Sequence, residues 1–326
     1  MILSLFSRRV AMVVLVLAQA VAYGSSIAGQ GLAIIPGVRA AIARQDFAAG
    51  ERLIADYRRS SGVTPEMLEA LSWLGRGALA ARQFDKADQY ASQTHELALQ
   101  ALKQRSMDQE PHLPIALGAA IEVRAQVAAQ TGARSEAIVI LQRELVAYRT
   151  TSLAKRIQKN INVLSLEGTA APPLDLSESL APRPLSLDSL KGKAVVVFFW
   201  AHWCPDCKAQ APVLASLLAK YGAQGLTVIA PTQRYGYVAG GREVGANEEN
   251  QYIAQIRATY YGFLPPNVVP ISEANHLRYG VSTTPTLVLV DRQGLVRLYH
   301  PGAMSEVELE PRVRGLVEQR GVAGAR

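Results

Sequence analysis

The chain has 326 residues, room for about two ordinary domains. Hydrophobic residues make up 49% and charged residues 19%, which excludes an intrinsically disordered chain and allows sizeable cores. Lys plus Arg number 34 against 27 Asp plus Glu, a net charge of +7, yet no basic run exceeds a doublet, so a nucleic-acid face is not supported. There are two cysteines, Cys204 and Cys207, in a single Cys-x-x-Cys, which excludes a framework of structural disulfides and a four-thiolate zinc site. A metal would have to draw on the scattered histidines His95, His112, His202, His276 and His300, and nothing in the sequence calls for a cofactor.

Arg8 and Arg9 precede an apolar run at residues 10–18, and small residues follow at Ala18, Ala20 and Ala22. A basic start, a short apolar centre and a small-residue exit describe an export signal, here residues 1–22. The run is shorter than the ~20 residues that span a bilayer comfortably. The expected address is secreted or periplasmic, with membrane anchoring only if the segment is not cleaved.

Residues 23–165 read as an all-α domain of helical hairpins. Met67, Leu71, Leu74 and Ala78 recur at helical spacing, as do Ile121, Ala125 and Ala128. Arg44-Gln45-Asp46-Phe47-Ala48-Ala49-Gly50, Arg82-Gln83-Phe84-Asp85-Lys86-Ala87 and Gly132-Ala133-Arg134-Ser135-Glu136-Ala137 look alike. Each is expected to be a tight turn between antiparallel helices, followed by a small residue where the helix axes approach closely. Trp73-Leu74-Gly75, then Phe84 and Ala87, resembles the tetratricopeptide repeat, whose unit is about 34 residues. The repeat is irregular, with an insertion expected as a long loop at residues 106–114. Such a domain suggests protein docking or spacing and carries no chemistry of its own.

Gly168, Pro172, Pro173, Pro182 and Pro184 break any helix, so residues 166–183 are expected to link the halves. From 166 to 326 an α/β domain is expected. Ala194-Val195-Val196-Val197-Phe198-Phe199-Trp200 has the apolar continuity of a strand buried on both faces. Ala201-His202-Trp203-Cys204-Pro205-Asp206-Cys207 follows, then a helix to Tyr221. Further strands are expected at residues 226–230, 286–290 and 295–299, and a closing helix at 305–317 with Ser305 as its N-cap. Residues 233–243, rich in Gly and aromatics, read as a loop at the rim of the active face or as an excursion from the fold.

Strand, Trp-Cys-x-x-Cys, helix, and a distant Thr284-Pro285-Thr286 before a strand resemble the thioredoxin fold. The lead-in Pro184-Leu185-Ser186-Leu187-Asp188-Ser189-Leu190-Lys191-Gly192-Lys193, and Cys207-Lys208-Ala209-Gln210-Ala211-Pro212, resemble the TlpA/ResA-like extracytoplasmic thiol–disulfide reductases. That resemblance covers about 145 residues and implies a cis peptide bond at Pro285, facing the cysteines. It also implies that Thr284 offers backbone groups to an incoming substrate strand. Trp203 would flank the nucleophile as an apolar contact surface or serve as a core aromatic, and His202 reads as an exposed bystander. Phe198 stands where thioredoxin has a buried acid, and Gln210 where many TlpA/ResA-like reductases carry a glutamate.

A thiolate is the nucleophile of disulfide exchange, and a free Cys has a pKa of about 8.5. A helix N-terminus offers N–H groups and the positive dipole end to Cys204, while Asp206 places a negative charge beside it. Cys204 should attack a partner's disulfide, and Cys207, one turn in, should resolve the mixed disulfide. The leading expectation is an extracytoplasmic thiol–disulfide oxidoreductase, a reductase of protein disulfides in the first place. Its partners would be thiol or disulfide proteins and an upstream electron donor. The alternatives are a peroxiredoxin-like thiol peroxidase and a non-catalytic helical scaffold with a redoxin-shaped binding domain.

Overall fold

Gln45, Arg82 and Gly132 all adopt a left-handed backbone, at φ 59°, 56° and 101°. The computed structural model describes residues 33–318, so the expected export signal lies outside the described residues. Each left-handed residue ends a helix of one hairpin: α1 (Ile34–Ala43) and α2 (Phe47–Ser61), α3 (Pro65–Ala80) and α4 (Phe84–Leu102), α5 (His112–Gln130) and α6 (Arg134–Tyr148). In each turn the following N–H reaches back five residues: Asp46 to the Ala41 carbonyl, Gln83 to Ala78, Ala133 to Ala128. This satisfies carbonyls that the helix end would otherwise leave unpaired. The three look-alike segments are therefore one turn used three times.

Starts are fixed by caps: the Asp46 carboxylate accepts the Ala49 N–H at 2.9 Å, and Thr64 Oγ1 accepts that of Met67, with Pro65 as the first helical residue. The expected small residue after the second turn, Ala87, is fully buried, and it faces Gly75 of α3, where an added Cβ would meet Ala91 N and Ala87 O at 3.6 and 3.7 Å. α1, α3 and α5 pack side by side as an inner row, and α7 (Leu153–Ser165) packs on α5 and α6. The expected long loop at residues 106–114 is shorter than anticipated. Met107–Gln109 form a single 3-10 turn, and Pro114 lies in the first turn of α5, where its missing N–H costs no helical bond.

The second half is a mixed four-stranded sheet in the order β2-β1-β3-β4. Its elements are β1 (Ala194–Phe199), α8 (Pro205–Tyr221), β2 (Leu226–Ile229), α9 (Ala246–Tyr260), α10 (Glu273–Arg278), β3 (Thr286–Val290), β4 (Val296–Pro301) and α11 (Glu306–Glu318). β1 runs parallel to β2 and antiparallel to β3, which is antiparallel to β4. This is the thioredoxin-like arrangement expected. Every residue of β1 is buried, and its side chains alternate between two cores. Val196 and Phe198 pack with residues of α8, α9 and α11, while Val195, Val197 and Phe199 pack with Leu166, Tyr279 and Val281. Residues 166–183, expected as a linker, lie down on this domain. Gly168 and Ala171 donate to the Val296 and Gly294 carbonyls, and Leu180 to Val269.

The second core begins where α7 ends, because Leu166, which caps that helix, belongs to it. The described residues form one compact unit. α7 packs on α10, the Asn162 amide reaches the Arg278 carbonyl at 3.5 Å, and Lys155 pairs with Glu273 at 2.8 Å. Gly280 follows α10 with φ +61°, and a Cβ there would stand 2.2 Å from the Lys159 nitrogen and 2.6 Å from the Gln158 carbonyl carbon. Backbone cannot yield as a side-chain tip can. Gly280→Ala is therefore expected to cost roughly 2–4 kcal/mol, from overpacking plus left-handed strain. Chemical denaturation of the full chain checks this; a loss below about 1 kcal/mol would mean that the two halves separate without penalty.

Candidate active site

β1 delivers the chain through Trp200 and Ala201 to the start of α8, where Cys204 is the N-cap. Its backbone is extended, and its sulfur accepts the Cys207 N–H at 3.0 Å. Pro205 occupies the first helical position, where no N–H is needed. Cys204 and Cys207 are joined as a disulfide, with Cα atoms 5.3 Å apart. The Thr284–Pro285 peptide is cis, and the Thr284 carbonyl oxygen lies 3.5 Å from Cys204 Sγ. The Thr284 N–H donates to no backbone carbonyl among the described residues.

Cys204, Cys207, Thr284 and Pro285 thus converge at the top of α8. Cys204 is only 2% exposed and Cys207 fully buried, so the outer sulfur is more covered than an open nucleophile would be. Trp203 is 45% exposed beside it, which removes the core-aromatic reading. Its indole meets the edge of Tyr235 at 5.5 Å, so the 233–243 loop stands at this rim. Phe198 packs on Tyr261 at 5.7 Å and brings no carboxylate behind the disulfide. Gln210 is buried, its amide donating to the Met304 carbonyl at 3.0 Å and accepting the Met304 N–H at 2.8 Å. Both polar ends of that side chain are engaged in holding α8 to residue 304.

His202 is a correction. It was expected to be exposed, but it is 1% exposed, and its Nε2 lies 3.1 Å from Glu249 Oε1. Glu249, equally buried on α9, also accepts the N–H groups of Tyr235 and Gly236 at 2.5 and 2.9 Å. The rings of Tyr235, Tyr237 and Tyr252 stand edge-on around the imidazole at 5.3–5.5 Å. With Glu249 accepting, the ring proton sits on Nε2, and Nδ1 has no partner. The loop at 233–243 is therefore pinned to the residue two before Cys204. Burial outweighs the Glu249 contact and pushes the His202 pKa down. A carboxylate 47 residues away gave no local signal of this pair. Among the described residues there is no group of His, Cys, Asp and Glu that could hold a metal.

Residues 168–232, which include both cysteines, match the AhpC/TSA family. The C-terminal half is a thioredoxin-like domain related to the thiol–disulfide oxidoreductases. The thioredoxin-like protein YneN of Bacillus subtilis is 28% identical over 52% of this chain and 91% of its own length. The thiol–disulfide oxidoreductase ResA of Halalkalibacterium halodurans is 29% identical over 41% of this chain and 68% of its own. Among solved structures, a thioredoxin-family thiol:disulfide interchange protein from Chlorobium tepidum is 24% identical, with a TM-score of 0.37, over 46% of this chain and 96% of its own.

Near the site, His276 is buried against the edge of Phe199, its Nδ1 3.2 Å from the Ser272 carbonyl and its Nε2 unpartnered. Burial lowers its pKa from 6.5 to about 4. The unfolded chain takes up this proton below about pH 6.5, and the folded chain only near 4. Stability therefore falls as pH drops through that window, by roughly 3 kcal/mol from His276 alone. His202 acts with the same sign. Carboxylates held low by partners, such as Glu122, matter only below about 4.5, so the loss between pH 6.5 and 5 belongs to the histidines. Urea midpoints against pH check this: His276→Leu should flatten the slope in that interval, and an unchanged slope would reject the assignment.

Proposed function

We propose that this protein is an extracytoplasmic reductase of protein disulfides. The observation that carries the reading is the Cys204 sulfur at the α8 N-terminus, 3.5 Å from the carbonyl of Thr284. In the dithiol form the helix end favours the Cys204 thiolate, against the opposing charge of Asp206. That thiolate attacks one sulfur of a substrate disulfide, forming a Cys204–substrate bond, and the other substrate sulfur leaves as a thiolate and takes a proton. The unpaired Thr284 N–H and its carbonyl hold the substrate backbone, and Trp203 supplies an apolar wall. Cys207 then attacks the Cys204 sulfur, the second substrate thiol departs, and the intramolecular disulfide remains. Two electrons have moved to the substrate, and an upstream thiol donor returns them. No cofactor enters the cycle.

The leader-like pattern at residues 8–22 supports export, and the helical half supports partner docking. The second reading, a thiol peroxidase, is kept by the AhpC/TSA match, since that family description does not separate the two chemistries. There Cys204 would become a sulfenic acid as peroxide is reduced to water or alcohol. Single mutants separate them. Cys207→Ser should accumulate mixed disulfides with substrates, seen as reductant-sensitive high-mass bands, while Cys204→Ser, left with the buried thiol, should trap almost none. Equal trapping by both would overturn the roles, and peroxide consumption by Cys207→Ser with an external thiol would favour the peroxidase.

A further inference from the structure

A cleft of about 660 Å³ opens between the two halves. Its walls come from α3, α5 and α7, and its remaining edge is Ser282 and Thr283. The next residue is Thr284, whose carbonyl touches the redox sulfur. Consecutive Cα atoms are about 3.8 Å apart, so the cleft edge and the site where a substrate disulfide would react are one residue removed.

The lining is cationic. Arg156 and Lys159 both pair with Glu122 at 2.8 Å, so two positive charges share one carboxylate. Arg76 adds a third. It makes no salt bridge among the described residues and instead lies over the Trp73 ring at 4.4 Å, with Arg39 over the same ring at 4.5 Å. Burial, and then the Arg156 charge, lower the Arg76 pKa to about 10, while Glu122 opposes the shift. The guanidinium stays charged at neutral pH but at a cost that an added anion would relieve.

We propose that this cleft receives an acidic segment of the substrate polypeptide, next to its disulfide, so that the helical half selects which disulfides reach Cys204. The inference rests on the disulfide-reductase reading above. A polypeptide fits better than a free small anion, because only a chain continuous with the reacting cysteine would profit from a cleft ending at Thr283. An extended chain covers about 3.3–3.6 Å per residue, so acidic positions two to five residues from the cysteine fall within the cleft.

The test uses the full chain and two peptides that share one disulfide loop, flanked at those positions by Asp and Glu or by Asn and Gln. Wild type should reduce the acidic peptide with a kcat/KM about tenfold higher or more, a preference that shrinks as NaCl is raised because the attraction is screened. In Arg76→Gln/Lys159→Gln the ratio should fall to about two or less, each protein being compared with itself on the neutral peptide. The salt series on wild type stands even if the variant fails to fold. Equal rates on both peptides in wild type, a salt-independent preference, or a ratio preserved in the variant would overturn the cleft assignment while leaving the reductase reading intact. Reduction of neither peptide by the reduced protein would overturn the reductase reading, and this inference with it.

Discussion

Gly280 lies so close to the α7 backbone that no side chain fits between them, and the placement of the redox site follows from that contact. The segment after α10 is held on both sides. Val281 N–H returns to the His276 carbonyl at 2.7 Å, and the Tyr299 hydroxyl donates to the Tyr279 carbonyl at the same distance. Four residues on, the same segment presents Thr284 and Pro285 to the disulfide. A shift of α7 would therefore be felt at the wall facing Cys204, which a flexible tether between halves would not transmit. α7 runs directly into this arrangement, because Leu166, the residue that caps it, lies in the second core of the sheet.

Two groups of polar contacts surround the cysteines and act differently. Cys204 is served by its own helix, through the Cys207 N–H and the first-turn dipole. The rim is held by Glu249, whose carboxylate gathers His202 and two loop N–H groups in a buried setting. Removing one partner of such a buried set costs more than an exposed pair would, because the remaining groups lose both solvent and partner. Phe198 and Gln210, on β1 and α8, place no carboxylate near the disulfide.

The cysteine pair, the three turns and the strand segments were legible because each is local, whereas Pro285 rested on the resemblance to the thioredoxin fold. A continuous apolar run, a Cys-x-x-Cys before a helix, or a repeated turn declares itself within a dozen residues. His202 was misread because its partner Glu249 arrives through tertiary packing, and neighbouring Trp203 suggested exposure. Residues 166–183 looked like a linker because Pro and Gly break helices, although the same residues are compatible with an edge that pairs with Gly294 and Val296. Gly280 was an unremarked glycine after a short helix. Nothing near it in sequence reveals that the α7 backbone, some 120 residues earlier, requires the absence of a side chain. The cationic cleft was hidden for the same reason, since Arg76 comes from α3 and Arg156 and Lys159 from α7.

Native-state hydrogen exchange at low denaturant tests the coupling of the two halves most directly. Amides of residues 157–164 in α7 and of residues 276–281 should open together, with one free energy and one denaturant dependence, as a single cooperative unit. Opening of α7 at a distinctly lower free energy, with protection at 276–281 unchanged, would contradict it. The cysteine site would then be held by the thioredoxin-like half alone.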